Sequence, residues 1–141
     1  MILPPNHTHL TKVGDLIATN PLRFELNTSC MDIAIALLTS HQSGAPVVDN
    51  GGRFEGFVSE FDLLKALDLS KDITTVTAQE IMSTERNLIH DDTPIKEAAQ
   101  FMEENHLMNL PVEEQGVITK TYTRHDILRG YLGVDLGVDE A

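Results

Sequence analysis

Gly44-Ala45-Pro46-Val47 and Asn109-Leu110-Pro111-Val112 are two writings of one phrase, 65 residues apart. Each is followed, after a turn and an apolar run, by a second shared phrase. It reads Ser59-Glu60-Phe61-Asp62-Leu63-Leu64 in the first copy and Thr123-Arg124-His125-Asp126-Ile127-Leu128 in the second. Working outward, Val13-Gly14-Asp15-Leu16-Ile17 answers to Ala78-Gln79-Glu80-Ile81-Met82, and Asn27-Thr28-Ser29 to Asp92-Thr93-Pro94. Matches in one order at an offset of 64 or 65 residues mark an internal duplication. The one-residue slip falls in the turn between two strands, where insertions cost little.

Each copy carries the same order of elements. A short helical lead-in (Val13 to Ile17; Ala78 to Met82) precedes a strand (Leu22 to Leu26; Asn87 to His90). A helix follows. In the first copy it runs from Ser29 to Ser40 with Ile33, Ala36 and Leu37 inward. In the second it opens at Asp92-Thr93, Pro94 suits its first turn, and Ile95, Ala98, Ala99, Phe101 and Met102 recur at helical spacing. A short strand after each proline, a turn (Asp49-Asn50-Gly51-Gly52; Glu113-Glu114-Gln115-Gly116), a third strand (Phe54 to Val58; Val117 to Tyr122) and a last helix (about Glu60 to Leu67; His125 to Leu132) complete the copy. The fold class is α/β: two β-α-β-β-α repeats, 11–70 and 75–133, with 68–76 as the linker. Pro46 and Pro111 are expected where an edge strand begins, which suits their missing N–H. One such half buries too little surface alone, so the halves should pack sheet to sheet with pseudo-twofold symmetry. Residues 1–10 and 133–141 read as tails.

Composition narrows the function. The 141 residues are 41% apolar and 23% charged, an ordinary globular balance. With 5% aromatics and no Trp, the core must be aliphatic. A net charge of −12, with no two basic residues adjacent, opposes phosphate backbones and anionic lipid, so neither nucleic acid nor membrane is expected as a partner. The single cysteine, Cys30, cannot form an internal disulfide, which fits a reducing compartment. It opens an apolar run and has no basic neighbour, the setting of a packed thiol rather than a nucleophile. Met1-Ile2-Leu3-Pro4-Pro5 lacks the features of a signal peptide, and no stretch approaches the roughly 18 apolar residues that span a bilayer. A cytoplasmic location is expected. His7 and His9 are too few for a metal site. The sequence holds no Cys-x-x-Cys, GxxxxGK[ST] or HExxH and no plausible Ser-His-Asp set, so neither catalytic residues, a metal nor an enzyme activity is expected.

Ala45-Pro46-Val47-Val48-Asp49, Gly56-Phe57-Val58-Ser59-Glu60-Phe61-Asp62-Leu63, Leu110-Pro111-Val112 and Thr123-Arg124-His125-Asp126-Ile127-Leu128 together resemble the CBS (cystathionine-β-synthase) domain pair, or Bateman module, over about residues 11–133. The resemblance implies a stand-alone regulatory module that binds an adenine nucleotide or related adenosyl ligand in clefts between its repeats. It implies a disc-like homodimer, a regulated partner protein that the sequence does not identify, and no obligatory cofactor. The alternative is a ligand-free dimerisation or scaffold module.

By the same resemblance, Asp62 and Asp126 take ribose hydroxyls, Ser59 and Thr123 lie near phosphate, Arg124 and His125 add local charge there, and Pro46 and Pro111 shape the clefts. A carboxylate suits a vicinal diol because it accepts two hydrogen bonds. A helix N-terminus suits an anion. Lys120 stands where the family usually has Gly, and it either fills the adenine cleft or reaches a phosphate. Glu60 stands where a basic residue often follows the hydroxyl, and it repels phosphate. The second repeat is therefore expected to supply the stronger ribose contact, through Asp126. The Ser/Thr-x-x-Asp spacing also resembles a capping box, and both roles can hold at once. His106 faces the cleft or simply ends a surface helix. The apolar stripes Phe61, Leu64, Leu67 and Ile127, Leu128, Tyr131 point to a homodimer.

Overall fold

The structure, a computed structural model, describes residues 12–133. The readings of 1–10, His7 and His9 among them, and of the tail beyond Gly133 lie outside those residues. The described residues open with a 3-10 turn, Val13–Asp15. Ser29 is extended and its hydroxyl accepts from the Asp32 N–H, so α1 (Cys30–Ser40) starts there. It ends at His41 in the left-handed conformation (φ 57°). β1 (Gly44–Val48) and β2 (Phe54–Ser59) form an antiparallel pair. Their turn is tied by Asp49, whose carboxylate accepts from the Arg53 and Gly51 N–H groups, and those bonds hold its pKa below the ordinary value. α2 (Glu60–Asp68) follows. The second copy repeats the order: α3 (Ala78–Ile81), α4 (Ile95–Asn105), β3 (Asn109–Glu114), β4 (Val117–Thr123) and α5 (Arg124–Tyr131). His106 ends α4 at φ 54°, matching His41.

Two expectations need correction, and one cause explains both. The first strand of each copy is reduced to one parallel bridge, Phe24 beside Val47 and Ile89 beside Val112. The prolines are not at the start of an edge strand but third in β1 and third in β3, and both are buried. Phe24 donates to the Pro46 carbonyl and accepts from the Val48 N–H; Ile89 does the same with Pro111 and Glu113. The preceding rung of each parallel ladder would need the proline's own N–H, which does not exist, so pairing cannot extend to that side of the bridge. On the other side Phe57 stands opposite Pro46 but spends its N–H and C=O on Ser83, so that pairing loses nothing. The linker is tied to the first copy: the Ile73 and Val76 carbonyls accept from the Met31 and Cys30 N–H groups at the head of α1.

The packing units are not the sequence copies. Val13 and Leu16, from the first lead-in, are buried with Ile89, Ile95, Ala98, Leu110, Tyr122 and Ile127 of the second copy. Ala78, Ile81 and Met82, from the second lead-in, pack with Phe24, Ile33, Leu37, Val47 and Val58 of the first. The lead-ins are exchanged. Tyr122 fixes one of them by donating to the Val13 (2.6 Å) and Leu16 (3.0 Å) carbonyls, and burial raises its pKa so that the phenol remains a donor. Two glycines make room. A methyl at Gly130 would lie 2.5 Å from Leu16 Cδ2, and one at Gly56 2.5 Å from Met82 Sδ. Val48, Phe54 and Ile118 form a smaller cluster that joins the copies again.

Gly130→Ala should overpack this junction and cost about 1–3 kcal/mol. Tyr122→Phe leaves the Leu16 carbonyl without its donor, while the Val13 carbonyl keeps the Leu16 N–H, and should cost a similar ~1–3 kcal/mol. Urea denaturation measures both; unchanged midpoints would mean that the exchanged lead-in is not held as described.

Candidate functional site

A cleft of about 410 Å³ opens between the copies at the start of α2. Its first wall comes from Phe54, Phe57, Ser59 and Asp62, and its second from His106, Leu107, Met108 and Pro111. The exchanged segment after α3 closes one end with Ser83, Glu85 and Asn87. The volume lies in the ordinary range for small-molecule sites, and the mixture of apolar walls with a few polar groups is typical of them. A pseudo-equivalent cleft of about 300 Å³ lies at the start of α5, lined by Thr19, His41, Gln42, Ser43, Met108, Asn109, Thr123, Arg124 and His125.

The two Ser/Thr-x-x-Asp motifs form the same capping box but differ in what else they hold. Ser59 Oγ accepts from the Asp62 N–H, and Asp62 Oδ2 accepts from the Ser59 N–H (2.8 Å) and hydroxyl (3.1 Å). Asp62 is partly exposed, and its Oδ1 has no hydrogen-bond partner among the described residues. Asp126 is 1% exposed and fully committed. Its Oδ2 accepts from the Thr123 N–H (2.9 Å) and the Thr19 N–H (3.0 Å), and its Oδ1 from the Thr19 hydroxyl (2.8 Å) and Arg129 (3.2 Å). Thr19 belongs to the exchanged lead-in segment. Thr84, its counterpart in the second copy, makes no hydrogen bond to Asp62 among the described residues. One motif therefore presents a free carboxylate oxygen beside an open cleft, and the other clasps the chain across its own.

A family model described as CBS domain matches twice, over residues 13–69 and 78–133. The chain belongs to the CBS-domain family. The L-aspartate semialdehyde sulfurtransferase of Methanocaldococcus jannaschii is 30% identical over 132 residues, 92% of this chain and 25% of that protein, so the chain spans about a quarter of that relative's length. A CBS domain-containing protein of Dictyostelium discoideum is 29% identical over 129 residues, 82% of this chain and 88% of that one. Among solved structures, the CBS domain pair of protein MJ0100 in complex with 5′-methylthioadenosine and S-adenosyl-L-methionine superposes with a TM-score of 0.76 at 28% identity, covering 87% of this chain and 97% of that one. CBSX2 in complex with AMP gives 0.75 at 27% identity, covering 86% and 96%.

The CBS pair distributes the remaining sequence candidates unevenly. Ser59, Asp62 and Pro111 line the larger cleft; Thr123, Arg124 and His125 line the smaller. Pro46 lines neither. Lys120 lines neither as well: its ammonium lies 3.0 Å from Asp91 Oδ1. Burial opposes that charge, but Asp91 and Tyr122 together more than offset it, leaving the Lys120 pKa above its ordinary value. Asp91 is thus half-buried in an ion pair. His106 does face the larger cleft. Sequence reasoning missed Phe54, Ser83, Glu85, Asn87 and Met108. The pseudo-symmetry offered a signal for the last two segments, since each lies beside a proline phrase or a lead-in, but the exchange that brings them together spans the two copies.

Asp126→Ala should cost about 3 kcal/mol or more, because it leaves Arg129 and the Thr19 donors buried without their acceptor. Asp62→Ala should cost only the cap, about 0.5–2 kcal/mol. Equal losses in chemical denaturation would contradict the assignment of Asp126 as the structural member of the pair.

Proposed function

We propose that this CBS pair is a regulatory module that senses an adenosyl ligand in the larger cleft, with Asp62 receiving the ribose. The supporting observation is the unpartnered Asp62 Oδ1 at the head of α2, set beside apolar walls from both copies. A nucleoside needs that combination: flat apolar faces for the base, and a carboxylate for two vicinal hydroxyls. The adenosyl compounds held by the similar MJ0100 and CBSX2 structures support the class of ligand. The sequence ranked Asp126 first on local charge; with all its acceptor capacity turned inward, we assign the ribose contact to Asp62 instead and regard the smaller cleft as weak. Arg124 and His125 remain candidates for an anion at that second cleft.

A ligand bridging both walls favours one arrangement of the copies, and a partner protein reads that arrangement. The role is regulatory rather than catalytic in this reading, and the cytoplasm is its setting. Support comes from the lone buried Cys30, and from the fact that no helix among the described residues is long and apolar enough to cross a membrane.

The module also pairs with a second copy of itself. Phe61 is 81% exposed on α2, where Leu64 and Leu67 are exposed as well, and Leu128 and Tyr131 are exposed on α5. Ile127 does not belong to that surface: at 3% exposure it sits in the core, because its side of α5 faces β4 and α4.

Adenosine should raise the melting temperature in step with RT ln(1 + [L]/Kd). Asp62→Ala should weaken its binding roughly tenfold or more, since a hydrogen bond to a charged group is worth about 1.5–3 kcal/mol. No thermal shift with any adenosyl compound would favour a ligand-free scaffold. Sedimentation should give about twice the 15.6 kDa chain mass at micromolar concentration; the monomer mass would remove the dimer.

A further inference from the structure

Resting on that reading of the cleft, we propose that it selects its adenosyl ligand by charge, accepting a neutral or cationic 5′ substituent and rejecting a 5′ phosphate. The lining residues carry three carboxylates, Glu60, Asp62 and Glu85, and among the described residues of the lining none is Lys or Arg. His106 is the single side chain there able to gain positive charge. Glu60 and Glu85 are exposed, and neither carboxylate has a salt bridge or hydrogen-bond partner among the described residues. Their charge is therefore not neutralised within the fold. Arg86 follows Glu85 directly, yet it does not line the cleft: Glu113 holds its guanidinium at 2.7 Å, and it stacks 5.5 Å from the Phe54 ring centroid.

The helix start does not compensate. An anion at an N-terminus needs free N–H groups. At α2 the Ser59 N–H is taken by Asp62, the Glu60 N–H by the Ser43 carbonyl, and the Asp62 N–H by the Ser59 hydroxyl, which leaves the Phe61 N–H alone in the first turn without a partner among the described residues, against three carboxylates. A nucleotide site needs a carboxylate for the ribose and positive charge for the phosphate. In this chain the two have been separated: the free carboxylate is in the larger cleft, while Arg124 and His125 flank the smaller, whose own carboxylate is locked. The larger cleft thus fits an adenosyl compound whose 5′ group is a hydroxyl, a thioether or a sulfonium, and Glu60 and Glu85 are the residues that set this preference.

The test is calorimetric titration at pH 8, where histidine is neutral. Adenosine, AMP and S-adenosylmethionine are titrated into the wild-type chain, Glu85→Gln and the double variant Glu60→Gln/Glu85→Gln. The wild type should bind adenosine and S-adenosylmethionine roughly tenfold or more tighter than AMP. The gap should narrow in Glu85→Gln and close to about threefold or less in the double variant, whose cooperative thermal unfolding reports correct folding. AMP binding as tightly as adenosine to the wild type, or a gap untouched by the double substitution, would overturn charge selection and leave the adenosyl reading standing. Absence of binding by all three compounds would overturn both.

Discussion

The exchange of lead-in segments is the constraint on which the rest of the molecule depends. Neither copy closes its own core: Val13 and Leu16 complete the second, and Ala78, Ile81 and Met82 complete the first. A half of this size has little apolar surface to bury, and removing its lead-in would open a cavity at its centre. Exchange makes each half's stability conditional on the other. It also fixes the relative placement of the halves, because the segment that leaves one core must travel a set distance to enter the other. The clefts are what remain between halves held this way, which is why each is lined by residues of both copies.

A polar network sits between the two clefts. Asn20 donates to the Gly44 carbonyl and to Asn109 Oδ1, and Asn109 donates to Ser43 Oγ, each at 2.9 Å. Asn20 and Asn109 are 4% and 5% exposed. The missing rung would have joined Leu22 to Gly44 and Pro46; instead the Leu22 N–H goes to Asn20 Oδ1, and the Asn20 amide takes the Gly44 carbonyl that the rung would have used. The proline therefore does two things: it ends a strand, and it frees a carbonyl for a contact that joins the halves. Satisfied buried amides of this kind specify one arrangement, because any other leaves them unpaired.

Much of this was legible in the sequence. The duplication, the element order and the helix starts at Ser29, Ser59 and Thr123 follow from local chemistry, in which a hydroxyl caps the helix that it precedes. The partner of each lead-in was not legible, because the apolar spacing of Val13 and Leu16 says that a face is buried without saying against what. For the same reason the stripe on α5 could not be sorted into Ile127, which is core, and Leu128, which is surface. The prolines were read as strand beginnings because their missing N–H is a local fact, whereas the rung that lacks it involves Phe24 or Ile89, far away in sequence. Most consequential for the site, the Asp126 motif looks the better equipped of the two until Thr19, 107 residues away, is seen to occupy it.

That last difference shows how one motif can serve two ends. A Ser/Thr-x-x-Asp box uses one carboxylate oxygen to cap its helix and leaves the other unassigned. In the second copy Thr19 and Arg129 take the remainder, and the motif becomes a clasp between α5 and the exchanged segment. In the first copy nothing among the described residues takes it, and the oxygen stays available at the cleft. The two outcomes are joined through the network between them. Ser43, Met108 and Asn109 border both clefts, and both ends of the Asn109 amide are committed. An occupant that pressed Asn109 in the larger cleft would strain its bonds to Asn20 and Ser43, and Asn20 is the residue next to Thr19. The clasp and the open site therefore share a continuous chain of contacts.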